Sequence, residues 1–470
     1  MPHPSISPSP LAAAQASASP WPVFWIASIA VFLVSLDATL LYAAFAPLGR
    51  SFPGATPAAM SWVLNAYTIV YAAMLVPAGG LADSHGRKRI FMVGVTLFLA
   101  ASAACGMADS VSFLIAARVV QALGAALLTP ASLSLILDAF PKEKRAVAVS
   151  LWGAVGGLAA AVGPSLGSTV IDAFGWPAAF YLNLPLGAVS LWFGAARLRE
   201  AAGDSASGMG KGRVDVVGML LLIVAVGAFA MAITQSESPR WSRVELAVLA
   251  LTGVAALGAF VAWARTAAAP LVDLGLFRNR SYSLVNLATL AFGAAFALMF
   301  FSYFAYLTNV WHYSLPAAGL AVTPGPLTVV PTAIVAGRIA ARHGHRLVLV
   351  PGALIYACSS LWLFSMVGSE PHYLTQWLPA VLLSGTGVGL VLPSLAGAAV
   401  AGLPPAQYAV GSAVNQATRQ LGGALGVAIA VVLVGHANVA RADFLPLYAL
   451  HMGLALLTGA LCLGVRTRRA

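Results

Sequence analysis

Apolar runs long enough to cross a bilayer recur from one end of this chain to the other, and that recurrence closes off almost every fold. A spanning helix needs roughly 20 predominantly apolar residues. Such runs lie near residues 22–48, 59–80, 90–107, 111–139, 144–172, 178–197, 216–234, 244–264, 283–309, 316–341, 347–367, 374–400, 408–435 and 444–465. Hydrophobic residues make up 60% of the chain and charged residues 8%, whereas a soluble domain carries about 25% charged residues. Water cannot accommodate that much apolar surface, and in lipid a helix satisfies its own backbone. The expected architecture is an all-α integral membrane protein with fourteen transmembrane helices.

An even number of spans places both termini on one side, and the Lys/Arg distribution selects the side. With the termini cytoplasmic, loops on that side hold 19 of the 25 Lys and Arg residues. The opposite loops hold only Arg50, Arg240, Arg243 and Arg441, while Arg118 and Arg419 fall within helices. One missed span would scramble this alternation. The expected location is the inner (plasma) membrane of the cell. The net charge of +11 is scattered over short loops, so it does not point to nucleic acid. Residues 1–20 are rich in Pro, Ser and Ala and lack Lys and Arg, which reads as a flexible cytoplasmic tail and not a secretory signal. Cys105, Cys358 and Cys462 lie in apolar stretches without metal-ligand spacing, so no metal site is expected.

Two loops resemble each other. Gly79-Gly80-Leu81-Ala82-Asp83-Ser84-His85-Gly86-Arg87 follows the second span, and Gly337-Arg338-Ile339-Ala340-Ala341-Arg342-His343-Gly344-His345 follows the tenth. Parallel repeats about an axis along the membrane normal are a transporter signature, with the substrate site at the repeat interface. The chain therefore reads as 6+2+6 with two pseudo-symmetric halves. Its parts are the tail over 1–20, a six-helix bundle over 21–197, a two-helix insertion over 198–282 and a second bundle over 283–470.

Among fourteen acidic residues, Asp37 alone lies deep within a span. A charge there costs about 2.5–3.5 kcal/mol on insertion scales, and the same applies to Arg118 and Arg419, so all three must face inward. Dry surroundings favour a neutral acid, and a neighbouring arginine favours the carboxylate. A helix movement exchanging the two environments would load and release a proton. Asp37 and Arg118 thus read as a proton-coupling pair or as a permanent structural pair. Polar residues share helical faces at Arg118 and Gln121, at Ser412, Asn415 and Arg419, and at Ser302, Tyr306 and Asn309, with Asn65, Tyr67, Thr68 and Tyr71 clustered in the second span. Each face alone reads as interhelical hydrogen bonding. Together they suggest a cavity, with Tyr42, Asn65, Tyr67, Gln121, Tyr306, Asn309, Asn415 and Arg419 as candidate substrate contacts. Gly163, Pro164 and Gly167 in the fifth span permit close approach and a bend. No phosphate-binding G-x-x-x-x-G-K-[ST] loop occurs, and no loop is large enough for a nucleotide-binding domain. No cofactor and no enzymatic activity are expected, and energy would come from a proton gradient.

These motifs resemble those of the major facilitator superfamily, specifically its fourteen-helix drug:proton antiporter branch. Gly79 to Arg89 is similar to the superfamily's basic loop, which implies that Gly79, Asp83, Gly86 and Arg87 gate the cytoplasmic side, although Ser84 replaces a usual basic residue. Leu36-Asp37-Ala38-Thr39 resembles the branch's first-helix motif, with Tyr42 in place of an Asn. Arg118-Val119-Val120-Gln121 resembles its fourth-helix proton-transfer motif, with Ala122 in place of Gly. Gly163-Pro164-Ser165-Leu166-Gly167 resembles the antiporter motif, with Ala159 and Ser168 replacing its outer glycines. Asn183 to Gly187, Pro270 to Arg278 and Arg419 to Gly423 also resemble this branch. The resemblance implies a monomeric, proton-driven exporter of small amphipathic compounds working by alternating access, its partners being substrate, protons and lipid. A proton-coupled metabolite uptake carrier is the alternative, disfavoured by the Gly-Pro motif. Some members carry extra carboxylates in the second half, and none is found here. A single proton site then fits exchange for a neutral, zwitterionic or monovalent cationic substrate.

Overall fold

The computed structural model describes residues 19–141, 144–198, 215–236, 240–404, 407–435 and 439–466. Most of the tail over 1–20, most of the loop over 198–215 and the side chain of Asp83 lie outside the described residues. Among the described residues, fourteen helices are long and apolar enough to span a membrane. They are α1 (Trp21–Ser51), α2 (Pro57–His85), α3 (Arg87–Gly106), α4 (Val111–Ala139), α5 (Arg145–Phe174), α6 (Pro177–Arg197) and α7 (Val216–Thr234). The remainder are α8 (Arg243–Thr266), α9 (Arg280–Asn309), α10 (Leu315–His343), α11 (Arg346–Met366), α12 (Tyr373–Ala401), α13 (Tyr408–Val434) and α14 (Arg441–Leu463).

Three spans are interrupted. Within α6 the chain breaks at Leu182, between Pro177–Tyr181 and Asn183–Arg197, and within α10 it breaks at Thr323, between Leu315–Val322 and Pro324–His343. A π turn over Tyr373–Trp377 opens α12. Pro324 begins the second segment of α10, and Pro379 lies in the first turn after the π turn. Proline has no N–H to continue a preceding helix but suits the start of a new one.

The two halves repeat their internal contacts. Helix α1 packs on α4, α5 and α6, and α4 packs on α2 and α3. Correspondingly, α9 packs on α12, α13 and α14, and α12 packs on α10 and α11. The match extends to single residues. A Cβ on Gly124 would lie 2.6 Å from the backbone nitrogen of Phe98, and one on Gly387 would lie 2.9 Å from that of Tyr356. Gly94 meets Leu128 as Gly352 meets Val391. The loops after α2 and α10 both turn on a left-handed glycine, Gly86 at φ 96° and Gly344 at φ 88°, a conformation that side-chain-bearing residues resist.

Two symmetry-related contacts join the halves, α2 with α13 and α5 with α10. On the face opposite the basic loops, one apolar cluster unites Leu36 to Leu48 of α1 with α9, α10, α13 and α14. Rings cross this seam, Tyr42 to Phe300 at 5.3 Å and Phe45 to Phe301 at 4.8 Å between centroids. Toward the basic face each half instead has its own large cluster. The molecule is thus fastened on the far face. Helix α7 lies across the α2–α13 contact, with Leu222 and Val226 packed among Ile69, Ala73, Ala424 and Ala428. On α8, Val248, Leu251 and Val254 are exposed, as suits a lipid-facing surface.

Candidate functional site

Asp37 and Arg118 meet inside the first half. Asp37 Oδ2 accepts from Arg118 Nη1 at 2.6 Å, and its Oδ1 accepts from Gln121 Nε2 at 3.0 Å and Asn183 Nδ2 at 3.2 Å. Arg118 also donates from Nη1 to Gln121 Oε1 at 2.6 Å and from Nε to the Val63 carbonyl at 3.1 Å. Ser102 Oγ accepts from Gln121 at 2.8 Å and from Asn183 at 3.3 Å. The Arg118 guanidinium lies 4.0 Å from the centre of the Tyr67 ring, within range of a cation–π attraction. Asp37 is 3% exposed and Arg118 1%, so the pair is shut away from water in this conformation.

Local sequence explains the assembly. Spacing of i, i+3 places Arg118 and Gln121 on one face of α4. The glycine contacts between α3 and α4 bring those backbones together and set Ser102 beside Gln121. The break at Leu182 starts a new helical segment at Asn183. Four helices of one half, α1, α3, α4 and α6, therefore build the carboxylate's surroundings, and among the described residues none of its hydrogen-bond partners comes from the second half.

Tyr67 leads from this network along α2 toward the basic face. Its ring stacks on Tyr71 at 5.9 Å, and the Tyr71 hydroxyl shares a 3.0 Å hydrogen bond with Thr129 Oγ1. The hydroxyls of Tyr71 and Tyr42 are those within electrostatic reach of Arg419 on α13. Arg419 is half-buried, and its Nε donates to Gln416 Oε1 at 3.3 Å. Among the described residues no carboxylate pairs with it.

The other expected cavity residues do not join this group. Asn415 donates to Asn286 Oδ1 at 3.2 Å and Thr289 Oγ1 at 2.9 Å, tying α13 to α9. Tyr306 donates to the Gly368 carbonyl at 2.9 Å and lies among Trp311, Trp377, Phe444 and Tyr448, inside the second half. Asn309 is exposed at the end of α9. Asn65 is fully buried, and its amide finds no partner within the described chain. Gln121 belongs to the Asp37 network.

Gly163 and Gly167 face Thr39 and Leu40 of α1, immediately after Asp37 in sequence. Beside them, the Pro164 carbonyl and Ser168 meet Gly319 of α10, where an added Cβ would lie 2.5 Å from that carbonyl. The Gly-Pro segment thus touches both the helix that carries Asp37 and the opposite half. At the basic face Arg87 pairs with Asp138 at the end of α4, and Gly79 lies against Pro130. Ser102 and Gly319 carried no signal in the sequence. Ser102 lies 258 residues before Ser360, the same offset as Gly79 to Gly337. Ser360 bonds His451 of α14 as Ser102 bonds Asn183 of α6, so a longer alignment of the repeat would have singled it out.

A sequence profile described as the Major Facilitator Superfamily matches residues 27–427 and 285–470. The chain belongs to this superfamily. It is 32% identical over 404 residues to the multidrug resistance protein Stp of Mycobacterium tuberculosis, covering 85% of this chain and 73% of that one. It is 32% identical over 415 residues to the cephamycin export protein CmcT of Amycolatopsis lactamdurans, covering 87% and 84%. The methylenomycin A resistance protein of Streptomyces coelicolor is 30% identical over 430 residues, covering 91% and 88%. Among solved structures, a D-xylose-proton symporter superposes with a TM-score of 0.66 at 13% identity, covering 95% of this chain and 98% of that one. The symporter likeness identifies the fold. It is the superfamily's two-bundle fold, here with two additional helices between the bundles.

Proposed function

We propose that this protein is a proton-driven exporter of small amphipathic compounds, with Asp37 as its proton carrier. The observation that carries this reading is the buried Asp37–Arg118–Gln121–Asn183 network. It pairs the carboxylate directly with a cation, and a small displacement of α1 would remove that contact. Protonation would then release Arg118 from Asp37. The Tyr67–Tyr71 stack extends from there along α2 toward the basic face. The Gly163–Thr39 contact couples α1 to the Gly-Pro segment that also touches α10. Relatives named for multidrug resistance and antibiotic export favour export over uptake.

The Lys/Arg bias supports placing the basic loops and both termini in the cytoplasm, in an inner or plasma membrane. The far-face seam is then extracellular, which supports reading this conformation as inward-facing in an alternating-access cycle. One charge crossing 100 mV gains about 2.3 kcal/mol, enough for roughly fifty-fold accumulation, so the cycle requires no cofactor. In everted vesicles preloaded by respiration, substrates should elicit proton release in wild type and none in Asp37→Asn. Release that persists in the variant would refute the assignment of Asp37. Its absence in wild type across chemically diverse compounds would refute export.

A further inference from the structure

We infer that Arg419 is the receptor for an anionic group on the transported compound, so that the preferred substrates are amphipathic carboxylates. This inference rests on the export reading above and names the charge class of its substrate. Two arginines lie deep within the spans, Arg118 in α4 and Arg419 in α13. Arg118 is matched by Asp37 and by three further acceptor or aromatic contacts. Arg419 has only the Gln416 contact at Nε, and its two terminal nitrogens donate to no group among the described residues. With Asp37 spent on Arg118, the interior of the described spans carries an uncompensated positive charge at α13.

Location narrows the ligand. Arg419 lies eleven residues after the start of α13 at Tyr408, about 16 Å along the helix at 1.5 Å per residue. A phospholipid headgroup at the membrane surface does not sit at that depth, whereas a solute entering between the halves passes it. The residue lies on α13, the helix that packs against α2, and its charge interacts with the Tyr42 and Tyr71 phenols. Arg419 is only partly buried, and its open fork matches a carboxylate bidentately. The rings of Tyr42 and Phe300, 5.3 Å apart between the halves, offer an apolar surface. A cationic drug would meet repulsion at this point. The single-proton argument pointed to neutral, zwitterionic or monovalent cationic substrates, and Arg419 moves the preference outside that set, to a net anion.

The test compares 1-naphthylacetate with its neutral amide, 1-naphthylacetamide, for binding to purified full-length protein by titration calorimetry. The acid should bind wild type at least about tenfold more tightly than the amide, the scale of a charge-assisted hydrogen bond. Arg419→Gln should erase that preference while still binding the amide, and Arg419→Lys should retain part of it. Equal binding of acid and amide to wild type overturns the inference without needing any variant, as does an acid preference that survives in folded Arg419→Gln. The same probes added to proteoliposomes test the export reading separately. An acid preference in binding with no accompanying proton flux refutes export and leaves the Arg419 site standing.

Discussion

Replacing Arg118 with Met would leave Asp37 buried with two amide donors and no cation. Breaking a buried ion pair by removing one partner costs about 3–5 kcal/mol, because the remaining charge is uncompensated. Arg118→Met also loses the Tyr67 ring contact, worth about 0.5–2 kcal/mol. Asp37→Asn leaves Arg118 with Gln121, the Val63 carbonyl, the Tyr67 ring and the new amide oxygen, so its cost should be smaller. The double variant has no buried charge at this place. Its destabilisation should fall short of the sum of the single variants by about 2–3 kcal/mol, within the range measured for residues sharing a network. The assay is a double-mutant cycle, with unfolding of purified protein in mixed micelles followed by the helical signal at constant detergent. Additivity within about 0.5 kcal/mol would mean that the pair does not interact energetically, and the reasoning from geometry would fail.

Three further expectations follow from close contacts. Gly163→Leu forces a side chain into Thr39; overpacking of this kind costs about 1–3 kcal/mol, and proton-coupled transport should be lost while helical content is retained. Gly319→Val should pry α10 from the Pro164 carbonyl and open the far-face seam. A cysteine introduced at Tyr42, in a background with the exposed Cys358 replaced, should then react faster with an impermeant maleimide from that side, and unchanged labelling would contradict the seam assignment. Gly86→Ala and Gly344→Ala each impose a left-handed conformation on a residue with a Cβ. Each should lower stability by about 1–3 kcal/mol in thermal unfolding, and a large difference between them would contradict the structural equivalence of the two loops.

The spans and their number were legible because lipid permits few alternatives. Each bilayer crossing demands a long apolar run, and the charge asymmetry of the loops checks the count. Asp37 and Arg118 were legible for the same reason, since a charge in an apolar run stands out. Their partners were less so. Ser102 is an unremarkable serine in an apolar helix, and Asn183 belongs to the site because the chain breaks at Leu182. The cavity residues were the least legible. Helical spacing shows which residues share a face but not what that face meets, so Asn415 and Tyr306 were grouped with Arg419 although both are engaged within the second half. The repeat extends well beyond the two basic loops. Gly94 and Gly352, and Gly124 and Gly387, make equivalent contacts, yet the side chains around them have diverged enough to hide the relation. Arg118 and Val381 illustrate that divergence: each touches its half's tenth- or second-span counterpart, Tyr67 in one case and Gly325 in the other. The first half has a cation–π contact where the second has an apolar one.

The inserted helices also acquire a place. Asp215 at the start of α7 accepts from Gly218 N at 2.8 Å, Trp263 Nε1 at 2.8 Å and Leu271 N at 2.7 Å, fixing α7 to α8 and the following segment. That unit lies on the α2–α13 contact, beside the helix that carries Arg419.

The central claim is that Asp37 carries the proton exchanged for substrate. In proteoliposomes holding a transported compound, two fluxes separate chemistry from folding: accumulation driven by an imposed pH gradient, and exchange of labelled for unlabelled compound with no gradient. Asp37→Asn should abolish gradient-driven accumulation and preserve exchange. Accumulation retained by that variant at the wild-type level would contradict the account.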